Sequence, residues 1–478
     1  RLGLIPLSYD SAARLLIVAS ASINDLLSLD PLRARLPDEL RIEILLASES
    51  QIARAIDQVY GHELSIDGIL HELETGQADF RTGAQTHEYA QPIVRLVDAL
   101  LTDAVKSDAS DIHFEPEPAF LRIRYRVDGL LRQIRALHKS CWPAMAVRLK
   151  VMAGLDIAET RAPQDGRISL NVSGRPVDFR VATQPTLHGE NIVLRILDRQ
   201  KGIVALDALG LTDTQLDTLK LMIARPEGLI LVTGPTGSGK TTTLYSILSH
   251  ISAEDIHIMT LEDPVEYPMP LIRQTAVAES RLDFGNGVRA MLRQDPDVIL
   301  VGEIRDADTA RMALQAAMTG HQVYSTLHTN SAIGAIPRLL DIGIQPDILA
   351  GNIIGIVAQR LVRKLCPACR EPHPADTIEL RLLDHTSLES HPTLYRPKGC
   401  PACRFQGYRG RMAIMELLRV DEDMDELVAR RATARDIRNA ARARGFTSLA
   451  EDGSRRVLEG LTSLEELLRV VDLTDRMR

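Results

Sequence analysis

The stretch Gly234-Pro-Thr-Gly-Ser-Gly-Lys240-Thr241 fills the pattern G-x-x-x-x-G-K-[ST] without a gap. The apolar run Leu229-Ile-Leu-Val232 precedes it, and the helix-like run Thr242-Thr-Leu-Tyr-Ser-Ile-Leu248 follows. A strand, a glycine-rich turn and a helix in that order aim successive backbone N–H groups at one anion, at the positive end of the helix. A glycine-rich loop that matched by chance would not bring both flanks with it. The cradle is therefore expected to comprise Gly234, Pro235, Thr236, Gly237, Ser238, Gly239, Lys240, Thr241 and Thr242. Lys240 can reach the β- and γ-phosphates of a nucleoside triphosphate, and the Thr241 hydroxyl can ligate Mg2+.

The surrounding pattern predicts a multidomain α/β protein. From about Asp207 to Leu361 the periodicity reads helix, strand with phosphate loop, helix, strand, helix, strand. Runs such as Val298-Ile-Leu-Val301 suit strands of a parallel sheet buried on both faces, with ligand at their carboxyl ends. Ahead of this lies an α+β pattern. Ile93–Ala104 and Trp142–Ala153 read as helices, and Leu121–Val127, with a hairpin turn at Asp128-Gly129, reads as a half-buried strand. Arg167–Leu170, Val177–Val181 and Ile192–Leu197 read as further strands.

At the start, a strand at Leu15–Val18 and helices at Asn24–Leu29 and Ser48–Tyr60 predict a small α/β module. The expected segments are 1–60, a docking module; 61–88, a polar linker; 89–200, the α+β domain; 201–361, the phosphate-loop domain; 362–412, a cysteine-bearing insert; and 413–478, a helical region.

The chain has 478 residues, of which 25% are charged, 45% hydrophobic and only 4% aromatic, so the cores must rest on aliphatic side chains. A net charge of −8 argues against a broad nucleic-acid surface. No apolar run reaches the length of a membrane-spanning helix, and the first residues lack a signal-peptide pattern.

A phosphate loop alone hydrolyses nothing; a held metal, a polarised water and positive charge on the transferring phosphoryl are also needed. Val298-Ile-Leu-Val-Gly-Glu303 is a buried strand running into a carboxylate, placed to hold Mg2+ through water. A lone Glu there could instead cap the next helix. Met259-Thr-Leu-Glu262-Asp263-Pro264 repeats that layout, and Glu262 could orient or deprotonate the attacking water; a solvated turn is the plainer alternative. In Thr319-Gly-His321-Gln-Val-Tyr-Ser-Thr-Leu-His328 a histidine stands at each end of a strand-like run, and His328 could sense the γ-phosphate.

These boxes, in this order, resemble the type II/type IV secretion ATPase superfamily, and within it the type II secretion branch. Leu261-Glu-Asp-Pro-Val-Glu-Tyr267 is similar to its aspartate box, Asp295–Asp306 to its Walker B region and Thr319–Ser331 to its histidine box. Asp108–Pro116 and Val177–Pro185 extend the likeness, which covers about 90–420. The resemblance implies a RecA-like ATPase domain. It also implies hexameric rings, with ATP bound between the α+β domain and the phosphate-loop domain. Arg180 and Arg195 match arginines that reach the phosphates, Glu262 the water-polarising glutamate and Glu303 the Walker B glutamate.

The implied function is a motor that hydrolyses ATP to drive pseudopilus assembly and export of folded proteins. Such a motor is cytoplasmic and peripheral on the inner membrane. It works with a membrane platform protein, and a bitopic membrane protein docks its N-terminal module. A pilus-extension or DNA-uptake motor and a nucleotide-locked scaffold ring are the alternatives. Retraction motors of the superfamily lack the cysteine insert and the long N-terminal module.

Cys366-Pro-Ala-Cys369 and Cys400-Pro-Ala-Cys403 are two C-x-x-C knuckles, each suited to half of a tetrahedral thiolate site. Four thiolates would close it as structural Zn2+. Disulfides suit a cytosolic ATPase poorly. Cys141 is left over and reads as a small core residue. The arginine-rich stretch Ala429–Arg444 is interleaved with acids and reads as a solvated helix face rather than a nucleic-acid contact.

Overall fold

The computed structural model describes residues 4–10, 14–21, 32–33, 36, 40–48, 51–52, 66–75, 91–172, 174–198, 202–277, 282–384 and 392–477. The chain divides into two compact units, Arg1–Arg199 and Gln200–Arg478. The helix expected at Asn24–Leu29 lies outside the described residues, as do 53–60 of the helix expected at Ser48–Tyr60. Gln51 N–H does donate to the Ser48 hydroxyl at 3.3 Å, as an N-cap requires.

In the first unit, β1 (Ile5–Asp10) pairs antiparallel with β2 (Leu15–Ser20), which pairs parallel with β3 (Arg41–Leu46). A larger antiparallel sheet follows, built from β4 (Ala109–Pro116), β5 (Phe120–Val127), β6 (Leu130–His138), β7 (Gln164–Val172), β8 (Arg175–Thr186) and β9 (Gly189–Asp198). Its spatial order is β6-β5-β4-β9-β8-β7. Strict alternation along β4 and β5 sends Ile112, Phe114, Leu121, Ile123 and Tyr125 to one buried face. Leu96, Leu100 and Leu101 of the helix Pro92–Lys106, and Met145 and Leu149 of Trp142–Ala153, share that core.

Part of the stretch read as linker, 61–88, is instead a helix, α1 (Ile66–Thr75). It packs Ile69 into the same core, with Ile66, Leu70 and Leu73 against it. Apolar residues at i, i+3, i+4 and i+7 drive this, despite Gly68 inside the helix.

The second unit carries a seven-stranded sheet of β10 (Gly228–Thr233), β11 (Ile258–Glu262), β12 (Ile272–Ala276), β13 (Val298–Val301), β14 (Gln322–Leu327), β15 (Ile353–Leu365) and β18 (Tyr408–Arg419). The order is β12-β11-β13-β14-β10-β15-β18, parallel except for the last pair. Every residue of β10, β13 and β14 is buried, as strands covered on both faces must be.

Three differences from the sequence reading arise here. Strand β12 was not foreseen. The 361/362 boundary cuts through β15, a single strand of 13 residues. The 413–478 region is not only helical, because β18 closes the sheet and Ile437, Leu449, Val457 and Leu467 of the later helices join the main core. Between β15 and β18, β16 (Glu371–Pro374) and β17 (Thr393–Arg396) form a hairpin-like pair beside the cysteines.

Candidate functional site

The phosphate loop spans the gap from the end of β10 to the helix α2 (Lys240–Ile251). Gly234 has φ 149°, and a Cβ there would meet the Gln359 carbonyl and the Ser238 hydroxyl, each at 2.6 Å. Gly239 has φ 92°, where a Cβ would meet Gln359 Nε2 at 3.1 Å. Gln359, fully buried on β15, is the support on which the loop sits. Its amide donates to the Ser238 carbonyl at 2.7 Å and accepts from the Thr243 hydroxyl at 2.8 Å. The Lys240 ammonium donates to the carbonyls of Gly234 at 2.8 Å and Pro235 at 3.2 Å. Burial lowers the pKa of Lys240; the negative charge of Glu303 opposes that and the charge of Arg360 adds to it.

Because β11, β13, β14 and β10 run parallel and adjacent, their carboxyl ends share one edge of the sheet. That edge carries Glu262 at the end of β11, Glu303 just beyond β13, His328 just beyond β14 and the phosphate loop. Glu303 is not a helix cap; Asp306 caps the next helix, accepting from Thr309 N–H at 2.8 Å. Glu303 instead faces His328 Nε2 at 2.9 Å and accepts from Arg305 Nε at 3.0 Å. Arg305 also reaches Asp263 at 3.5 Å.

Glu262 is buried rather than on a solvated turn. Its Oε2 accepts from the Tyr245 phenol at 2.5 Å, and its Oε1 accepts from the Thr260 hydroxyl at 2.6 Å and the Gln274 amide at 3.2 Å. Burial and the Glu262 charge push the Tyr245 phenol well above its ordinary pKa, so it stays a donor.

Sequence reasoning missed Gln359, Tyr245, Thr260, Gln274 and Arg305. A Gln-Arg pair inside the apolar run Ile353–Val362 was a usable signal, since a buried polar residue needs a partner. The partners of Glu262 come from three elements and left none.

In the first unit, Arg180 on β8 and Arg195 on β9 stand directly opposite each other. They share the sheet face away from the core. Arg195 donates through Nε to Asp111 at 3.4 Å.

The four knuckle cysteines converge. Their sulfurs all lie within 4.8 Å of one another, with Cys366–Cys400 at 3.9 Å, Cys369–Cys403 at 3.7 Å and Cys400–Cys403 at 3.8 Å. None is in a disulfide. A tetrahedron with metal–sulfur bonds of about 2.3 Å has edges of about 3.8 Å, so the donor set fits zinc. Burial raises the Cys403 thiol, but backbone N–H groups, those of Cys400 and Gly407 foremost, hold it down to about 6. Cys141 is half-buried against the first unit's core.

Several arginines of the C-terminal stretch lie against carboxylates, Arg430 on Glu426, Arg442 on Glu451 and Arg444 on Asp421 and Asp423. Among the described residues, no helix is long and apolar enough to cross a membrane.

The family described as type II/IV secretion system protein matches residues 86–469, and the MshEN domain matches residues 1–66. Type II secretion system protein E of Pseudomonas aeruginosa is 46% identical over 440 residues, covering 90% of this chain and 87% of its own. Type II secretion system ATPase E of Vibrio cholerae is 45% identical, with the same shares covered. The crystal structure of the pilus retraction motor PilT with bound ADP superposes with a TM-score of 0.55 at 27% identity, over 79% of this chain and 97% of that one. The Legionella pneumophila ATPase DotB, at 23% identity and a TM-score of 0.58 over 78% of this chain and 94% of its own, shares the fold. Matched along most of its length by that family and by these relatives, the chain belongs to the type II/IV secretion system proteins.

Proposed function

We propose that this chain is the ATP-hydrolysing motor of a type II secretion system, working as a hexameric ring that drives pseudopilus assembly and export of folded proteins. The observation that carries the reading is the shared sheet edge, where the phosphate loop, Glu303 with His328, and the braced Glu262 stand together. The names of the relatives select secretion among the motor functions.

In this reading Lys240 neutralises the β- and γ-phosphates, and Thr241 and Glu303 would hold Mg2+. Mg2+ bound there would supply positive charge to the transferring phosphoryl group. A carboxylate offers about four acceptor sites, and three on Glu262 are taken by Tyr245, Thr260 and Gln274. The one left, on Oε2, orients the attacking water. His328 reports on the γ-phosphate through Glu303. Arg180 and Arg195 bring permanent charge from the α+β domain, in the planar geometry that suits phosphate oxygens. Most of the rate enhancement is then positioning and electrostatics.

A site completed by two domains in a ring should be idle in dilute monomer. ATP turnover per chain is expected to rise with protein concentration, and to rise further with the cytoplasmic part of the docking membrane protein. A rate per chain that is flat over about a hundredfold in concentration, with a monomer throughout by light scattering, contradicts the ring mechanism.

The cysteine insert we assign as a structural zinc site, since four thiolates leave no open position for chemistry. Metal analysis is expected to find one zinc per chain. A Cys366→Ser, Cys369→Ser double variant should lose the metal and the protease resistance of the insert while ATP binding persists. Finding no zinc, with all four thiols reduced, would sink the assignment.

A further inference from the structure

The register of the first unit's sheet places five charged residues in one row. Arg167 on β7 is opposite Arg180 on β8, Arg180 is opposite Arg195 on β9, Arg195 is opposite Asp111 on β4, and Asp111 is opposite Arg126 on β5. All five lie on the solvent face. Their sequence neighbours Ile168, Phe179, Val181, Leu194, Ile112 and Tyr125 are buried on the other. Like charges directly opposite on neighbouring strands are destabilising, yet three arginines stand side by side on three consecutive strands.

The row's carboxylate, Asp111, serves its far end. It engages Arg195 at 3.4 Å and Arg126 at 3.5 Å, each through Nε. Engagement through Nε leaves the terminal amines of Arg195 for an anion. Asp165 and Asp178 lie in the adjoining rows, and Asp178 holds the Ser169 hydroxyl at 2.5 Å. Arg167 is exposed and makes no ion pair among the described residues.

We propose that Arg167 is a third phosphate-binding residue, acting with Arg180 and Arg195 on the polyphosphate of the nucleotide. This rests on the reading of Arg180 and Arg195 as phosphate ligands. Three strands spaced about 4.8 Å apart set the outer guanidinium groups roughly 10 Å apart, enough to meet more than one phosphoryl group. A polyanion laid along the row would meet Arg167, Arg180 and Arg195 on three consecutive strands. Asp111 fixes the β9 end, so the free guanidinium at the β7 end adjusts to the ligand. Arg167 thereby adds charge to the phosphoryl oxygens as hydrolysis develops, a contribution to turnover more than to affinity.

The test is steady-state ATP hydrolysis by the full chain, at a concentration where the wild type is active, for Arg167→Ala, Arg167→Lys, Arg180→Ala and Arg195→Ala. Melting temperatures are taken in parallel. Arg167→Ala is expected to lower kcat about tenfold, with KM for ATP changed less than about threefold and Tm not lowered, since one of two opposed like charges is removed. Arg167→Lys should recover part of the loss, because it restores charge without the planar fork. Normal kinetics for Arg167→Ala, with Arg180→Ala and Arg195→Ala slow, overturns the inference and leaves the two-arginine reading standing. Normal kinetics for all three alanine variants overturns that reading as well. A loss in Arg167→Ala that comes with a lowered Tm, and that lysine does not relieve, makes Arg167 a structural residue and also overturns the inference.

Discussion

Lys240→Ala is expected to abolish ATP hydrolysis, leaving less than about a tenth of the wild-type rate, and with it secretion. Lys240 is the first residue of the helix that follows the phosphate loop, so its backbone position is fixed by the loop itself. Its ammonium already leans over the loop, bonded to the Gly234 and Pro235 carbonyls. Swinging from those carbonyls to phosphate oxygens exchanges neutral acceptors for charged ones, a gain that rises as charge builds on the transferring group. Arg360, whose charge also acts on Lys240, is bonded to the carbonyls of Gln359 and Asn330 and is not free to substitute. The check is phosphate release by the purified variant at a concentration where wild type turns over. A rate above a tenth of wild type would contradict the site assignment.

Glu262→Gln and Glu303→Gln are each expected to slow hydrolysis by roughly 10²-fold or more while ATP binding stays largely intact. Each change preserves shape and removes charge. At Glu262 the substitution also disturbs the bracing. An amide NH2 placed toward either the Tyr245 phenol or the Thr260 and Gln274 donors meets a donor instead of offering an acceptor. At Glu303 it weakens the bonds to His328 and Arg305. Binding by a fluorescent ATP analogue and turnover in the same preparation separate the two effects. Normal turnover in either variant removes that residue from its assigned role.

What the sequence made legible follows from how local each feature is. The phosphate loop is eight contiguous residues whose chemistry is carried by backbone and one side chain, so its pattern suffices. The buried strands Leu229–Val232 and Val298–Val301 were equally plain, since unbroken aliphatic runs bounded by turns have few other uses. Glu303 could be picked out by its position after a strand, but its pairing with His328 depends on β13 and β14 being neighbours. The bracing of Glu262 needs a helix, a strand and an edge strand that were read separately or not at all. Gln359 is the instructive miss. The strand it sits on was cut at 361, because the cysteines just beyond suggested a new segment, whereas β15 runs unbroken from beneath the phosphate loop to Leu365. The helix Ile66–Thr75 was hidden by its surroundings. Glycines and polar residues on both sides read as linker, although the spacing of Ile66, Ile69, Leu70 and Leu73 is that of one helix face. The arginine row was invisible for a different reason: Arg167, Arg180 and Arg195 are regularly placed only once the strand register is known.

The central claim, that ATP hydrolysis at this phosphate loop powers protein secretion, is tested most directly by export in cells from which the chain has been deleted. Secreted proteins in the medium and pili on the surface are measured after supplying either the wild-type chain or Lys240→Ala. The expected result is that export stops on deletion, returns with the wild-type chain and not with Lys240→Ala, while pili are unaffected throughout. Export that continues after deletion, or that returns fully with Lys240→Ala, contradicts the account.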